Sequence, residues 1–249
     1  MAAQAGPCTV GAVSRIKVQL KPPLAAFVAV ALIAATSCSF AAEFAAGETG
    51  PGWVPLYTNG RGPVGWQHCG PITWKTDGDV PDEVVAAITD AFDEVSEITG
   101  YTFEQVPSTA RPARISYGYD FSHLDAPPVI AHVTVRRWSA AEWRGNVDKP
   151  HRDTIAYVTA QPDDATRSLI WAEMHYSAGE LEPLDAYSRN VLWHEVGHVM
   201  GLGHVPHRSS MMVEGPKAAS TFSAEDRAGL VALSEAGAEM TAITNTPRC

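Results

Sequence analysis

Apolar residues recur at helical spacing across residues 81–99, the longest periodic stretch in the chain. Acidic residues come early in this stretch and Gly100 follows it, as expected at the start and end of a helix. The pattern predicts a long amphipathic helix that covers one face of a sheet. The apolar positions are Val84, Val85, Ile88, Ala91, Phe92, Val95 and Ile98.

Shorter apolar or alternating runs predict the strands of that sheet. Strands that precede and follow a long helix favour an α/β fold with a mixed, mostly parallel sheet. By contrast, residues 43–65 are rich in Gly and Pro and predict an extended or mobile lead-in. The predicted strands are residues 71–75, 102–106, 113–119, 154–160 and 169–176, with 129–138 as a further extended segment.

Two more helices are predicted toward the C-terminus. Residues 186–200 form the first. The second begins at Ser223, an N-cap residue with Asp226 at the third helical position, and continues through an apolar series that ends at Leu233.

The first of these helices and the turn after it contain the sequence His-Glu-Val-Gly-His-Val-Met-Gly-Leu-Gly-His, residues 194–204. His194 and His198 are four residues apart, so both project from one helix face about one turn apart and can bind one metal ion. Glu195 lies beside that face, where it can accept a proton from metal-bound water. The spacing predicts two metal ligands and one general base.

Gly201 comes three residues after His198, where helices commonly end on a glycine in the left-handed conformation. A turn there lets His204 approach the same metal from outside the helix. Three imidazoles leave one tetrahedral position open to water, as in catalytic zinc sites, whereas structural sites are closed by four protein ligands. The pattern therefore predicts one catalytic Zn²⁺ on His194, His198 and His204.

The same eleven residues match the signature of the metzincin zinc metalloproteases, in which a Met-containing turn follows the third histidine. Here the continuation ends in Ser-Ser-Met-Met-Val at residues 209–213 and resembles the matrixin branch of that clan. Met212 lies eight residues after His204, the commoner matrixin spacing, and is favoured as the Met beneath the zinc ligands. Met211 is the alternative. In the family this Met does not bind the metal.

The resemblance covers residues 69–234 and implies a metzincin-like fold with a mixed twisted sheet, a long N-terminal helix, an active-site helix, the Met-turn and a C-terminal helix. It implies a zinc-dependent endopeptidase in which Glu195 assists the attack of zinc-bound water on a peptide bond. By resemblance, residues 154–160 are the edge strand that binds substrate, and residues 213–220 contribute to the specificity pocket. Residues 129–153 look like an insertion, so calcium or a second zinc is not assigned.

Two other functions fit the same motif. One is a zinc amidase that acts on cell-wall or small-peptide bonds. The other is a non-catalytic module that zinc merely stabilises for binding. Glu195 argues against the module, because a purely structural zinc site has no use for an adjacent base.

Residues 1–42 predict an export signal. Basic residues precede an apolar run over residues 24–35, and small residues follow it. The run is too short to span a bilayer comfortably. Cleavage after Ser37 and cleavage after Ala41 both match the preference for small residues at a signal cleavage site. A lipid anchor on Cys38 is the alternative to secretion. The predicted organisation is this signal, a lead-in over residues 43–68 and one domain over residues 69–249.

The net charge of the chain limits the classes of binding partner that are expected. Removing residues 1–42 takes away three of the 18 basic residues and none of the 28 acidic ones, which leaves a formal charge of −13. A strongly acidic protein is a poor partner for nucleic acids or anionic membranes. A peptide or protein substrate is therefore expected, and no feature of the sequence sets an oligomeric state.

Cysteines and the remaining histidines suggest further sites. Cys69 and Cys249 would stay in the exported protein and predict one disulfide, although Cys69 could instead act as an inhibitory thiolate on zinc. His207 is interpreted as an exposed loop residue near the site. A second, structural zinc is a minor alternative that would draw on His68, His123, His132, His151 and His175.

Overall fold

A five-stranded mixed sheet lies at the centre of the computed structural model, which describes residues 52–60, 62–67, 70–113, 128–146, 154–163, 168–215 and 219–244. The strands are β1 Thr58–Asn59, β2 Gly62–Pro63, β3 Ile72–Asp77, β4 Phe103–Gln105, β5 Arg111–Pro112, β6 Ile130–Ala131, β7 Val133–Trp138, β8 Ala156–Pro162 and β9 Leu169–Ser177. The helices are α1 Asp82–Thr99, α2 Ala140–Gly145, α3 Ala178–Leu181, α4 Ala186–Val199 and α5 Ala224–Thr244.

The order of strands in the main sheet is β4-β3-β7-β9-β8. All neighbouring pairs are parallel except β8 and β9, which are antiparallel. This confirms the mixed, mostly parallel sheet. Two small pairs, β1 with β2 and β5 with β6, lie outside it. Strand β8 occupies one edge, as predicted for residues 154–160.

Alternation along the strands gives the sheet one apolar and one polar face. Val133 and Val135 of β7 are fully buried in the main core, together with Met174 of β9. Glu173 and His175 flank Met174 along β9, so their side chains point to the opposite face of the sheet. The apolar face packs against the helices and fixes the position of the helix that carries His194 and His198.

Helix α1 confirms the first predicted helix. It ends at Gly100, whose φ of 76° is left-handed. Phe92 on its buried face stacks on Phe103 of β4, with ring centroids 4.4 Å apart. Its other buried positions are Val84, Ala87, Ile88, Ala91 and Val95, and all of them except Ala87 belong to the apolar series in the sequence.

Every residue of helix α4 from Val191 to Val199 is buried, and the helix packs against α1, β8 and β9. The Asp185 side chain caps it by accepting a hydrogen bond from Ser188 N at 2.7 Å. That backbone N–H lowers the pKa of Asp185. A helix enclosed in this way needs no single apolar stripe, because neighbouring elements cover every face. The polar side chains within it are therefore held in a protein interior.

Two sequence expectations differ from the structure. Residues 129–138, predicted as a further extended segment, contain β6 and β7. The described part of residues 129–153 is nevertheless not simply an insertion, since β7 is the middle strand of the sheet and α2 follows it. The lead-in over residues 43–65 is not merely extended where described, because β1 and β2 form a short hairpin. Of the strand predicted over residues 113–119, only Ala113 is among the described residues, where β5 ends just before it. None of the helices in the described ranges is long and apolar enough to cross a membrane.

Candidate metal centre

Three histidine side chains converge at the C-terminal end of α4. His194 and His198 project from one face of the helix, and His204 reaches them from the loop that follows. His204 Nε2 lies 3.2 Å from His194 Nε2 and 3.0 Å from His198 Nε2. Among the residues that the structure describes, these three form the one group of His, Cys, Asp or Glu suited to hold a metal ion.

The second ring nitrogens of the two helical histidines are held by backbone carbonyls. His194 Nδ1 lies 2.7 Å from Met211 O, and His198 Nδ1 lies 2.7 Å from Leu202 O. A carbonyl oxygen can only accept, so each Nδ1 carries the proton and donates it. In the neutral form of each ring, Nε2 then has a lone pair directed toward His204, as binding of a metal ion through Nε2 requires.

This arrangement fits zinc. Zn–N bonds of about 2.0–2.1 Å in a tetrahedron separate two ligand nitrogens by about 3.3 Å. The observed Nε2 separations of 3.0 and 3.2 Å are close to that value. Three imidazole nitrogens, two of them with tautomers fixed by backbone carbonyls, are also a donor set that zinc accepts.

The loop that carries His204 depends on glycine. Gly201 has a φ of 101°, in the left-handed region that side chains rarely adopt. Gly201 N donates to His198 O and Leu202 N donates to Gly197 O, each at 3.0 Å. These bonds close the end of the helix and turn the chain back, so that His204 faces the two histidines that precede it.

Glu195 is only 4% exposed and shares a cleft of about 510 Å³ with the three histidines. The cleft runs between α4 and the edge strand β8. Its remaining lining residues are Leu56, Thr154, Ile155, Ala156, Tyr157, Val158, Tyr187, Val191, Glu214 and Gly215. A buried carboxylate beside three converging imidazoles is placed to exchange protons with a ligand in this cleft.

Both methionines of the turn lie beneath α4, in different roles. Met211 supplies the carbonyl that holds His194, whereas the Met212 side chain packs against the helix backbone at Gly197. A Cβ at Gly197 would collide with the Met212 thioether. The Met212 side chain therefore lies under the helix segment between His194 and His198, and its role as the Met-turn residue stays a prediction.

Asp226 of α5 is a site residue that the sequence analysis assigned only to a helix cap. It is fully buried, and its carboxylate accepts from Ser210 Oγ at 2.6 Å, Met211 N at 2.8 Å and Ser223 N at 2.9 Å. The cap exists, since Asp226 N also bonds Ser223 Oγ. The same carboxylate, however, fixes the turn whose Met211 carbonyl orients His194.

We expect Asp226→Ala to lower the free energy of unfolding by about 3 kcal/mol or more, because it leaves buried donors without an acceptor. Urea denaturation of the metal-free protein measures this. Glu225→Ala is the matched control, since Glu225 is an exposed acid in the same helical turn and its loss should cost less than about 1 kcal/mol. Equal losses in the two variants would contradict the role assigned to Asp226.

The other described histidines have partners of a different kind. His132 Nδ1 accepts from Thr73 N at 3.2 Å, and burial lowers the pKa of this histidine. His175 Nδ1 accepts from Trp138 Nε1 at 3.1 Å, and its ring stacks on Tyr157 at 4.5 Å. His207 is exposed, as expected. The other histidines proposed for a second zinc, and both Cys69 and Cys249, lie outside the described residues, so those sites stay predictions.

The model of one protein family, described as matrixin, matches residues 65–233, which is more than half of the chain. No curated protein matches the sequence.

Proposed function

The chain belongs to the matrixin family, and from this premise we propose that it is a secreted zinc-dependent endopeptidase. His194, His198 and His204 hold one catalytic zinc ion in this proposal, and Glu195 is the general base. The observation that supports it most is the convergence of three imidazole Nε2 atoms with a buried carboxylate in one cleft.

Zinc, when bound, acts as a Lewis acid that polarises the scissile carbonyl and makes water more acidic. The protein supplies the rest. The carboxylate of Glu195 accepts a proton from the attacking water and returns it to the nitrogen of the leaving amine. The Met211 and Leu202 carbonyls keep Nδ1 of His194 and His198 protonated, so that both Nε2 atoms stay available.

The cleft suits an extended peptide. Strand β8 borders it and is an edge strand of the main sheet, so a peptide can add alongside as a further strand. The opposite wall includes Glu214 and Gly215, which follow the Met-turn and belong to the segment expected to shape the specificity pocket. Backbone pairing on one side and side-chain contacts on the other explain selection of peptides over other substrates.

Metal removal gives a direct test. We expect dialysis against a chelator to abolish cleavage of an unstructured protein, because the open coordination position disappears with the zinc. Added zinc should restore cleavage. The same samples should lose and regain thermal stability, since a ligand at 100 times its dissociation constant stabilises the folded state by about 2.7 kcal/mol.

The outcomes separate the candidate functions. Cleavage that is indifferent to the chelator would contradict the proposed protease. Metal-dependent stability with no cleavage of proteins would favour the non-catalytic module, and cleavage of cell-wall or small peptides alone would favour the amidase. Secretion and the signal over residues 1–42 rest on the sequence pattern and on the family's usual extracellular location.

A further inference from the structure

The segment Trp53-Val54-Pro55-Leu56-Tyr57, named here the N-terminal strap, is tied to the loop that carries the third histidine. Leu56 N donates to Gly201 O at 2.6 Å, and Gly203 N donates to Val54 O at 2.7 Å. Pro55 and Leu202 form an antiparallel bridge between these bonds. The approach is close enough that a Cβ on Gly203 would lie 3.3 Å from two strap carbonyls. The strap is thus fixed to the wall of the cleft that carries the metal ligands.

The far end of the strap reaches the opposite wall. Tyr57 OH donates a hydrogen bond to Ala160 O of the edge strand β8 at 2.8 Å. Burial raises the pKa of Tyr57, so its hydroxyl stays protonated and remains a donor. Leu56, next to it, lines the cleft together with His204. The strap therefore crosses from the histidine loop to the sheet edge.

The chain after the strap keeps it in place. Tyr57 O accepts from Val64 N at 3.0 Å, which closes the hairpin of β1 and β2. Trp66 is buried, and its Nε1 donates to Val199 O at the end of α4 at 2.8 Å. The strap is thus held at the histidine loop and at β8, and the chain that follows it is anchored to the end of α4.

Hydrogen bonding along β8 shows which peptide groups face the cleft. Ile155 O accepts from Ser177 N, so it points inward toward β9. Because peptide groups alternate sides along a strand, Ala156, Val158 and Ala160 point outward. Ala156 and Val158 line the cleft, and no strand within the described residues pairs with this edge. Tyr57 takes the carbonyl of the third outward residue.

We propose that the N-terminal strap is the end wall of the substrate cleft and that Tyr57 ends the peptide-binding edge of β8 at Val158. An extended peptide then gains backbone hydrogen bonds at Ala156 and Val158 but none at Ala160. Substrate residues beyond the strap add no binding. The inference rests on the proposed function, since it concerns how the same cleft selects its peptide.

Peptides lengthened one residue at a time from either terminus test this end wall. For the wild type, kcat/KM should rise with extension at one terminus and then stop rising where the peptide meets the strap. In Tyr57→Ala the plateau should be lost, with a gain of about fivefold from the residues that reach Ala160, as one net hydrogen bond allows. Tyr57→Phe, which only releases the carbonyl, should shift the plateau the same way by a smaller factor.

The matched control is Tyr176→Phe. The Tyr176 hydroxyl donates to Glu182 Oε1 at 3.0 Å, and neither residue contacts the strap or lines the cleft, so the substitution removes a tyrosine hydrogen bond elsewhere in the sheet. Its length profile should equal that of the wild type. Zinc content of each variant shows whether the metal site is intact.

Two results would overturn the inference: wild-type kcat/KM that keeps rising at both termini, or wild-type plateaus in both zinc-loaded Tyr57 variants. Calorimetry of the same peptides with Glu195→Gln protein measures their affinity for the cleft in the absence of cleavage. Peptides that bind with a length limit but are not cleaved by the wild type would support the end wall while contradicting the protease. Peptides neither bound nor cleaved at any length would contradict both.

Discussion

Replacing Glu195 with Gln should lower kcat/KM on a peptide substrate by about 10²–10⁴-fold, the usual contribution of a positioned general base. Gln has nearly the same shape as Glu and fills the same buried space, but it cannot accept the proton of the attacking water. Glu195 is not among the three residues whose ligand atoms converge, so zinc should stay bound. Elemental analysis beside the kinetics separates the loss of the base from the loss of the metal.

Glu214→Gln is the matched control. Glu214 is another carboxylate that lines the same cleft, but it is exposed and follows the Met-turn, away from the helix that carries the histidines. The same chemical change there should alter kcat/KM by less than about threefold, as expected for a group that takes no part in proton transfer. If Glu195→Gln kept near-native activity, or if both variants lost activity equally, the proton-transfer role of Glu195 would be wrong.

The helices were the most predictable part of the fold, because their signals are local. Helix α1 shows its period of three and four in the sequence, and the glycine that ends it is visible as Gly100. Helix α4 was found by its histidine spacing rather than by an apolar stripe. It is enclosed on nearly every side, so its burial gives no one-sided pattern.

Strand β7 lies within residues 129–138, which were predicted to be extended, but its central position in the sheet was not predicted. A central parallel strand is usually apolar throughout, but Val133–Trp138 carries two arginines and a threonine. The structure supplies the reason: Arg136 lies 3.1 Å from Asp77 and 3.8 Å from Glu173 on the polar face of the sheet. Because these charges are paired across strands, the segment can take a central position that its composition does not indicate. The helix after it did carry a signal, the capping box of Ser139 and Glu142.

The residues of the candidate site likewise fall into those that sequence spacing can place and those that it cannot. Residues on one helix turn can be placed from spacing alone, which is why His194, Glu195 and His198 were found together. Asp226 acts from a helix more than 25 residues further along the chain, and sequence shows only its local cap with Ser223. The N-terminal strap is bound mainly through backbone groups, which leave no residue signature. Long-range side-chain bonds such as those of Asp226, and backbone bonds such as those of the strap, can be identified only from the structure.

Replacing His198 with Ala should abolish both zinc binding and hydrolysis, so that the zinc content falls from about one ion per chain to almost none. The variant loses one of three ligands, and two imidazoles do not hold zinc tightly enough against dialysis. It also leaves Leu202 O without its donor, which loosens the loop that carries His204. Elemental analysis and peptide hydrolysis measure the two losses on one sample.

His207→Ala is the control for this effect, because His207 is an exposed histidine three residues beyond the last ligand and lies outside the convergent group. It should keep zinc and activity. The contrast with Glu195→Gln also matters, since that variant is expected to lose activity with its zinc retained. If His198→Ala kept a full zinc content, the ion would have to be bound by other residues, and Glu195 would no longer lie beside it as its base.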